Sequence, residues 1–363
     1  MELLYQIALT LIPGIGDING KRLVSYCGGI EAVFNENKAA LLKIPGIGPI
    51  TLKSILNKSV FSQAEKEIRF IEKFNIQTFF YLEKNYPHRL KNCEDGPIML
   101  YYKGNSDLNS TRILSIVGTR KASPYGKRMC KEVIEDLKDS EVTIVSGLAY
   151  GIDTQAHKNA VVQGLPTIGV LAHGLDWMYP AANRVLAGKM LKNGGLLTEF
   201  RSDTNPDREN FPRRNRIIAG LSDAVLVIES ALKGGALITA EIANSYNRDV
   251  FAIPGRTNDP YSQGCNFLVK TNRAALIQSA KDIQYILNWD DEEKSSFKQK
   301  KIFFDFNTEE QTIVDLLKEN EILGIDQIGI KANFPISKVA STLLNLEFQG
   351  VIQCLPGKVF KLN

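Results

Sequence analysis

The sequence predicts an α/β fold. A doubly wound, mostly parallel sheet fills the middle of the chain, with a helical module before it and a small helix–turn–helix with a β-hairpin after it. Three observations predict this. Between residues 76 and 288, short and continuously apolar runs alternate with helical stretches, and such runs belong to parallel strands covered by helices on both faces. Before residue 75 the pattern is helical only, and an IPGIG segment occurs twice. After residue 306 helical periodicity returns and ends in VIQCLPGKVFKL, which reads as a hairpin. The expected boundaries are 1–75, 76–288, a linker over 289–305, and 306–363.

The chain has 363 residues, enough for two or three domains with real cores, and its 44% hydrophobic share is that of an ordinary globular protein. A net charge of only +4 excludes a whole-molecule basic coat, so any site for nucleic acid must be local. The cysteines at 27, 93, 130, 265 and 354 show no CxxC spacing, so neither a zinc site nor a disulfide framework is expected. No metal and no cofactor are expected. The N-terminus carries Glu2 and lacks a basic flank or a cleavage site, and no apolar run is long enough for a membrane span. A cytoplasmic protein with no membrane partner is expected.

In the first module, LIPGIGDINGKRL (Leu11 to Leu23) and KIPGIGPITLKSI (Lys43 to Ile55) place Gly14, Gly16, Gly46 and Gly48 in tight turns that lead into helices. The repeat resembles tandem helix-hairpin-helix (SAM-like) modules. That resemblance implies weak, sequence-independent contact with nucleic acid, or contact with a partner protein. Lys21, Arg22 and Lys53 lie near the turns, and Glu31 and Glu36 dilute their field.

In the central segment the expected strands are ILSIVG, VTIVSG, TIGVLA, GLLTEF, AVLVIE and DVFAIPG. Ligands of such sheets bind outside the carboxyl ends of the strands, and most of the unusual residues fall there. GTRKASPYG follows the first strand. No GxGxxG occurs there and no acidic residue ends the second strand, which excludes nicotinamide and flavin. Gly118 can bring backbone close to an anion, with Arg120 beside it, and Gly147 and Gly151 offer a second close approach. Asp153 and His157, four apart on a helix, have the spacing of an acid–base pair, but read rather as a helix cap and a packing residue. FPRRNRIIAGLSDAVLVIES (Phe211 to Ser230) reads as an arginine-bearing loop, a helix start and a buried strand. It puts Arg213, Arg214 and Arg216 at one mouth, where guanidinium groups suit phosphate. Lys233, Gly234, Gly235 and Thr239 then form a helix start suited to a phosphate.

VGTRKASPYG, SGLAYGIDTQAH, GLDWMYP, FPRRNRIIAGLS, GGALITAE and FAIPGR, in this order, closely resemble the DNA-processing protein DprA (Smf) family. The resemblance implies an extended Rossmann-like fold. It also implies a single-stranded-DNA-binding protein of natural transformation and recombination, a homodimer that protects incoming strands and loads a RecA-type recombinase onto them. The family's pocket maps onto Gly118, Thr119, Arg120, Gly147, Gly151, Phe211, Arg213, Asn215, Arg216, Lys233 and Gly235. Lys121, Arg214, Gly234 and Thr239 beside them complete the expected DNA-contact set. Phe211 reads equally as a stacking face for a base or as an inward plug.

The rival on the same fold class is a nucleoside-monophosphate phosphoribohydrolase with a PGGxGTxxE motif. Here Gly234, Gly235 and Glu241 are kept, but Leu237 and Ile238 replace Gly and Thr, and no catalytic couple stands out, so no enzyme is expected. The segment from VFAIPG to LVKTNRAALI, with Leu276 and Ile277, is the candidate dimer surface. Beyond the linker, Thr308 to Gln311 reads as a capping box and the rest as a winged helix. Its recognition helix begins with only Ser337 and Lys338, which favours packing or partner contact over duplex reading.

Overall fold

The computed structural model describes residues 2–289, 306–320, 322–355 and 359–362, the side chain of residue 355 excepted. The expected linker lies almost wholly outside the described residues; Trp289, its first residue, is buried in the core of the larger unit. The chain divides into two compact units, residues 1–290 and 291–363.

The larger unit is built on one sheet of nine strands: β1 (Gln77–Phe80), β2 (Met99–Gly104), β3 (Arg112–Val117), β4 (Val142–Ser146), β5 (Thr167–Val170), β6 (Gly194–Thr198), β7 (Ala224–Val227), β8 (Asp249–Ala252) and β9 (Ala275–Leu276). Their spatial order is β1-β2-β6-β5-β4-β3-β7-β8-β9. The six expected strands are β3 to β8, and all pair in parallel. They are buried nearly throughout, as their uninterrupted apolar sequences require. β1 and β2 extend the sheet antiparallel beyond β6. The order reverses between β3 and β7, and a doubly wound sheet opens its ligand crevice at such a switch point.

The N-terminal helices, from Glu2–Thr10 to Ser59–Phe74, share one apolar cluster with Ile76, Phe80, Ile98, Met99 and Tyr101. They therefore pack on the sheet's antiparallel extension. Both IPGIG turns form, with Gly14 at φ 81 and Gly46 at φ 88, a region that glycine enters without strain. The first hairpin is docked: Asp17 Oδ1 accepts from the Ile98 N–H at 2.9 Å, and its Oδ2 pairs with Arg216 at 3.0 Å. The second leaves Ile50 86% exposed.

In the smaller unit, helices Thr308–Glu319, Ile325–Ala332 and Ile336–Phe348 surround an apolar cluster beside the antiparallel sheet of β10 (Leu323–Gly324), β12 (Val359–Leu362) and β11 (Ile352–Leu355). This is the expected winged helix. Its first cap is Asn307 with Glu310, one position earlier than Thr308 with Gln311, because the Asn307 side chain already receives the N–H groups of Glu309 and Glu310. The expected hairpin turn at Pro356 and Gly357 lies outside the described residues. Lys338 at the head of the recognition helix is paired with Glu309 at 2.5 Å.

Candidate nucleic-acid interface

The loops after β3 and β7 meet over the switch point, and one carboxylate fastens them together. Glu229 is buried, and it receives the Ser123 N–H at 2.9 Å as well as the Ser123 hydroxyl. The Glu229 carbonyl takes the Thr119 N–H at 2.7 Å, and the Thr119 carbonyl takes the Ile152 N–H at 3.1 Å. The glycines here serve close packing. A Cβ on Gly118 would stand 2.6 Å from Ile152, and one on Gly151, at φ 81, would stand 2.1 Å from the Thr119 carbonyl. Backbone is thereby held where Arg120 projects into the crevice.

A cavity of about 760 Å³ opens at this point. Of the expected contact residues, Gly118, Thr119 and Arg120 line it from the first loop, Phe211, Arg214 and Asn215 from the Asn210–Leu221 helix, and Gly234, Gly235 and Thr239 from the turn after β7. The Gly235–Ser245 helix begins at Gly234 with no side-chain cap; the Leu237 N–H donates to the Gly234 carbonyl at 3.1 Å, and the N–H groups of Gly235 and Ala236 are left for an acceptor. Thr239 spends its hydroxyl on the Gly235 carbonyl at 3.4 Å. Phe211 is half-buried, lies edge-on to Tyr179 with ring centroids 5.9 Å apart, and carries the Arg120 guanidinium 5.3 Å above its ring. It lines the cavity and is no buried plug.

Six expected residues lie off the cavity wall: Lys121, Gly147, Gly151, Arg213, Arg216 and Lys233. Lys121 and Lys233 are exposed, and Gly147 and Gly151 support from behind. A Cβ on Gly147 would run into the Arg214 guanidinium at 2.3 Å. The arginines part because FPRRNR is not a loop: Phe211 to Arg216 all lie within the Asn210–Leu221 helix. Residues three apart share a helical face and neighbours diverge. Arg213 and Arg216 therefore both reach Glu199, at 3.4 and 2.5 Å, and Arg216 also takes Asp17 and the Asp95 carbonyl. Arg214 turns the other way and donates at 2.5 Å to the carbonyls of Gly147 and Val170, at the ends of β4 and β5. Burial pulls its pKa down to about 10, against the pull of Asp153, and it remains charged at neutral pH.

Among the cavity residues that sequence reasoning missed are Asp153 as a lining group, Tyr179, Pro206 and Arg208. Asp153 is buried and its pKa is raised, by desolvation first. The signal for Tyr179 was its place in the loop after β5, at the carboxyl edge. Arg208 sits in TNPDREN, whose mixed charges read as a solvated run. Arg120 and Arg208 are both exposed and have no carboxylate partner among the described residues, so neither charge is neutralised at the cavity, and Arg120 rests only against the Phe211 ring.

The class these features define is the doubly wound α/β proteins with a ligand crevice at the switch point, here lined by an uncapped helix start, arginines and aromatic rings, groups whose chemistry suits phosphate and bases. The chain matches the family described as DNA recombination-mediator protein A over residues 77–288, and the DprA winged helix domain over residues 306–358. It belongs to the DprA/Smf family. It is 37% identical over 290 residues to Protein Smf of Escherichia coli, covering 77% of this chain and 75% of that one. The structure of DNA processing protein A from Streptococcus pneumoniae superposes with a TM-score of 0.65 at 35% identity, over 78% of this chain and 97% of that one. That of the Helicobacter pylori protein, described for its single-stranded DNA binding mode, superposes with a TM-score of 0.54 at 30% identity, over 59% of this chain and 96% of that one. Among the described residues no helix is long and apolar enough to cross a membrane, and no group of side chains is arranged to hold a metal ion.

Proposed function

We propose that this chain binds single-stranded DNA in the cavity at the switch point and acts as a homodimeric recombination mediator that passes the strand to a RecA-type recombinase. The observation that carries the reading is that Arg120 and Arg208, neither paired with a carboxylate among the described residues, line one cavity together with an uncapped helix start and the Phe211 and Tyr179 rings. Guanidinium and N–H groups take phosphate oxygens, and aromatic faces take bases of any identity. Arg214 adds a buried fixed charge in the cavity wall. The binding mode described for the Helicobacter pylori relative supports the same choice of ligand.

The phosphoribohydrolase reading finds no support in the geometry. Its glutamate, Glu241, lies off the cavity wall and pairs with Arg273 at 3.1 Å on the exposed side of its helix. We therefore read the protein as a binding protein rather than an enzyme.

Fluorescence anisotropy of a labelled single-stranded oligonucleotide across a salt series tests this. Arg120→Ala and Arg208→Ala are each expected to weaken binding by about tenfold or more, and to flatten the salt slope by roughly 0.7 per lost phosphate contact. Variants that bind as the native chain does would move the site elsewhere.

A further inference from the structure

The Ser59–Phe74 helix of the N-terminal module buries Val60, Ala64, Glu67 and Ile71, spaced four, three and four residues apart. That spacing marks one helical face, apolar except for a carboxylate that is only 4% exposed. A buried charge costs free energy unless hydrogen bonds satisfy it. Among the described residues the Glu67 side chain takes its hydrogen bonds from Ser202 alone. The Ser202 N–H lies 3.0 and 3.2 Å from its two oxygens, and the Ser202 hydroxyl donates to Oε2. An apolar side chain would cover this face without the cost; what the carboxylate adds is a grip on Ser202.

Ser202 belongs to the loop between β6 and the Asn210–Leu221 helix, which carries Pro206 and Arg208 to the wall of the cavity at the switch point. The loop is fastened at three successive residues. Ser202 is held by Glu67, the Asp203 N–H donates to Asp176 Oδ2 at 3.0 Å, and the Thr204 carbonyl accepts from the Gly174 N–H at 3.0 Å. Between the outer two, Asp203 stands at φ 64. A left-handed backbone of this kind is disfavoured by a side chain and lasts where its surroundings hold it from both sides. Beyond Thr204 the described hydrogen bonds of the loop run only within it and to the helix start: the Asp207 N–H and the Asn210 side chain both donate to the Asn205 carbonyl, at 2.8 and 3.1 Å. Arg208 is therefore placed by the fastening at 202–204 on one side and by the helix on the other.

We propose that Glu67 is a positioning residue for DNA binding: from the N-terminal module it fixes the loop that presents Arg208 to the strand. The proposal rests on the single-strand reading given above. It gives the helical module a part in binding that needs no contact of its own with DNA.

A double-mutant cycle on the full chain tests this, by anisotropy with a labelled single strand and thermal melting of each variant beside it. Glu67→Ala is expected to weaken binding about fivefold in the native background and less than about twofold once Arg208 is alanine, the sign of two residues acting through one contact. Its salt slope should flatten by roughly 0.7, as that of Arg208→Ala does, whereas a loss of stability alone leaves the slope native. Glu67→Gln keeps an oxygen for the Ser202 N–H and is expected to hold affinity within about twofold. Ile71→Ala, on the same buried face, should lower the melting temperature and leave affinity and slope native. If Glu67→Ala does not fold, Ser202→Ala, which loses the hydroxyl and keeps the N–H, carries the same cycle with an expected loss of about threefold. No loss, equal losses in the two backgrounds, or a native slope overturns the proposal and leaves the cavity reading standing. An Arg208→Ala chain that binds as the native one does overturns both.

Discussion

His157 shows how a buried side chain can serve the fold while looking catalytic. It is fully buried, and its Nδ1 lies 2.7 Å from the Thr167 hydroxyl. Burial first and Arg214 second push its pKa down to about 3, so the folded protein holds it neutral. The unfolded chain takes a proton near the ordinary histidine value of about 6.5. Stability from this residue is therefore complete above about pH 6.5 and drains as pH falls towards the folded pKa, by ~1.4 kcal/mol between about pH 7.5 and 5.5. Glu199, pushed up to about 7 by burial, slopes the other way, because the folded state holds its proton more firmly than the unfolded one does. Urea unfolding at both pH values isolates the histidine: His157→Leu is expected to lose ~1.4 kcal/mol less than the native chain on acidification. An equal loss would rule out His157 as its source. The packing role was legible in the sequence, since the helix bearing His157 runs between buried strands. The cavity-facing role of Asp153 was not, because four-residue spacing tells nothing of which residue points to a crevice made by distant loops.

At the scale of the element, one helix divides three arginines between two duties, and the sequence did not show where it begins. Phe211 and Pro212 read as loop, yet Pro212 falls in the first turn of Asn210–Leu221, where its missing N–H has no helical partner to lose. The residue types were legible and their directions were not, because direction depends on helical phase. Arg216 is consequently a strap. It joins this helix to Asp17 of the first hairpin and Glu199 beyond β6, and is itself only 9% exposed. Removing one partner of such a buried set costs about 3–5 kcal/mol where the remaining charge cannot relax, and Glu199 limits that loss by taking a proton. Arg216→Ala is expected to lose ~2–4 kcal/mol in urea unfolding. The folded fraction should retain most of its affinity for single strands, whereas Arg120→Ala should show the opposite pattern. An Arg216→Ala protein of native stability would mean that the strap holds nothing.

At the scale of the whole molecule, the sheet ends in two edge strands, β1 and β9. β9 is a two-residue edge strand that pairs only with β8, and Ala275 and Leu276 on it are exposed. Unpaired edges invite another chain. The parallel core was legible because each strand is apolar on both faces. The antiparallel extension by β1 and β2 was less so, since its burial comes from the N-terminal helices, whose docking depends on Asp17 and Arg216 meeting across 199 residues of chain. The candidate dimer surface needs one correction. Ile277 is fully buried and belongs to the core, so a charge there would unfold the protein and report nothing on assembly. Leu276, 47% exposed, is the position that tests it. Two linked cavities engaging one strand gain affinity through effective concentration, so a dimer made through this edge would bind long oligonucleotides far better than a monomer, if the strand spans both sites. Leu276→Glu is expected to halve the mass seen by light scattering, to leave thermal stability nearly unchanged, and to weaken long oligonucleotides by about 10²-fold while short ones that fill one site bind as before. A Leu276→Glu chain with the native mass would place the dimer contact on another face, and one of halved mass with undiminished affinity for long strands would show that the two sites do not share a strand.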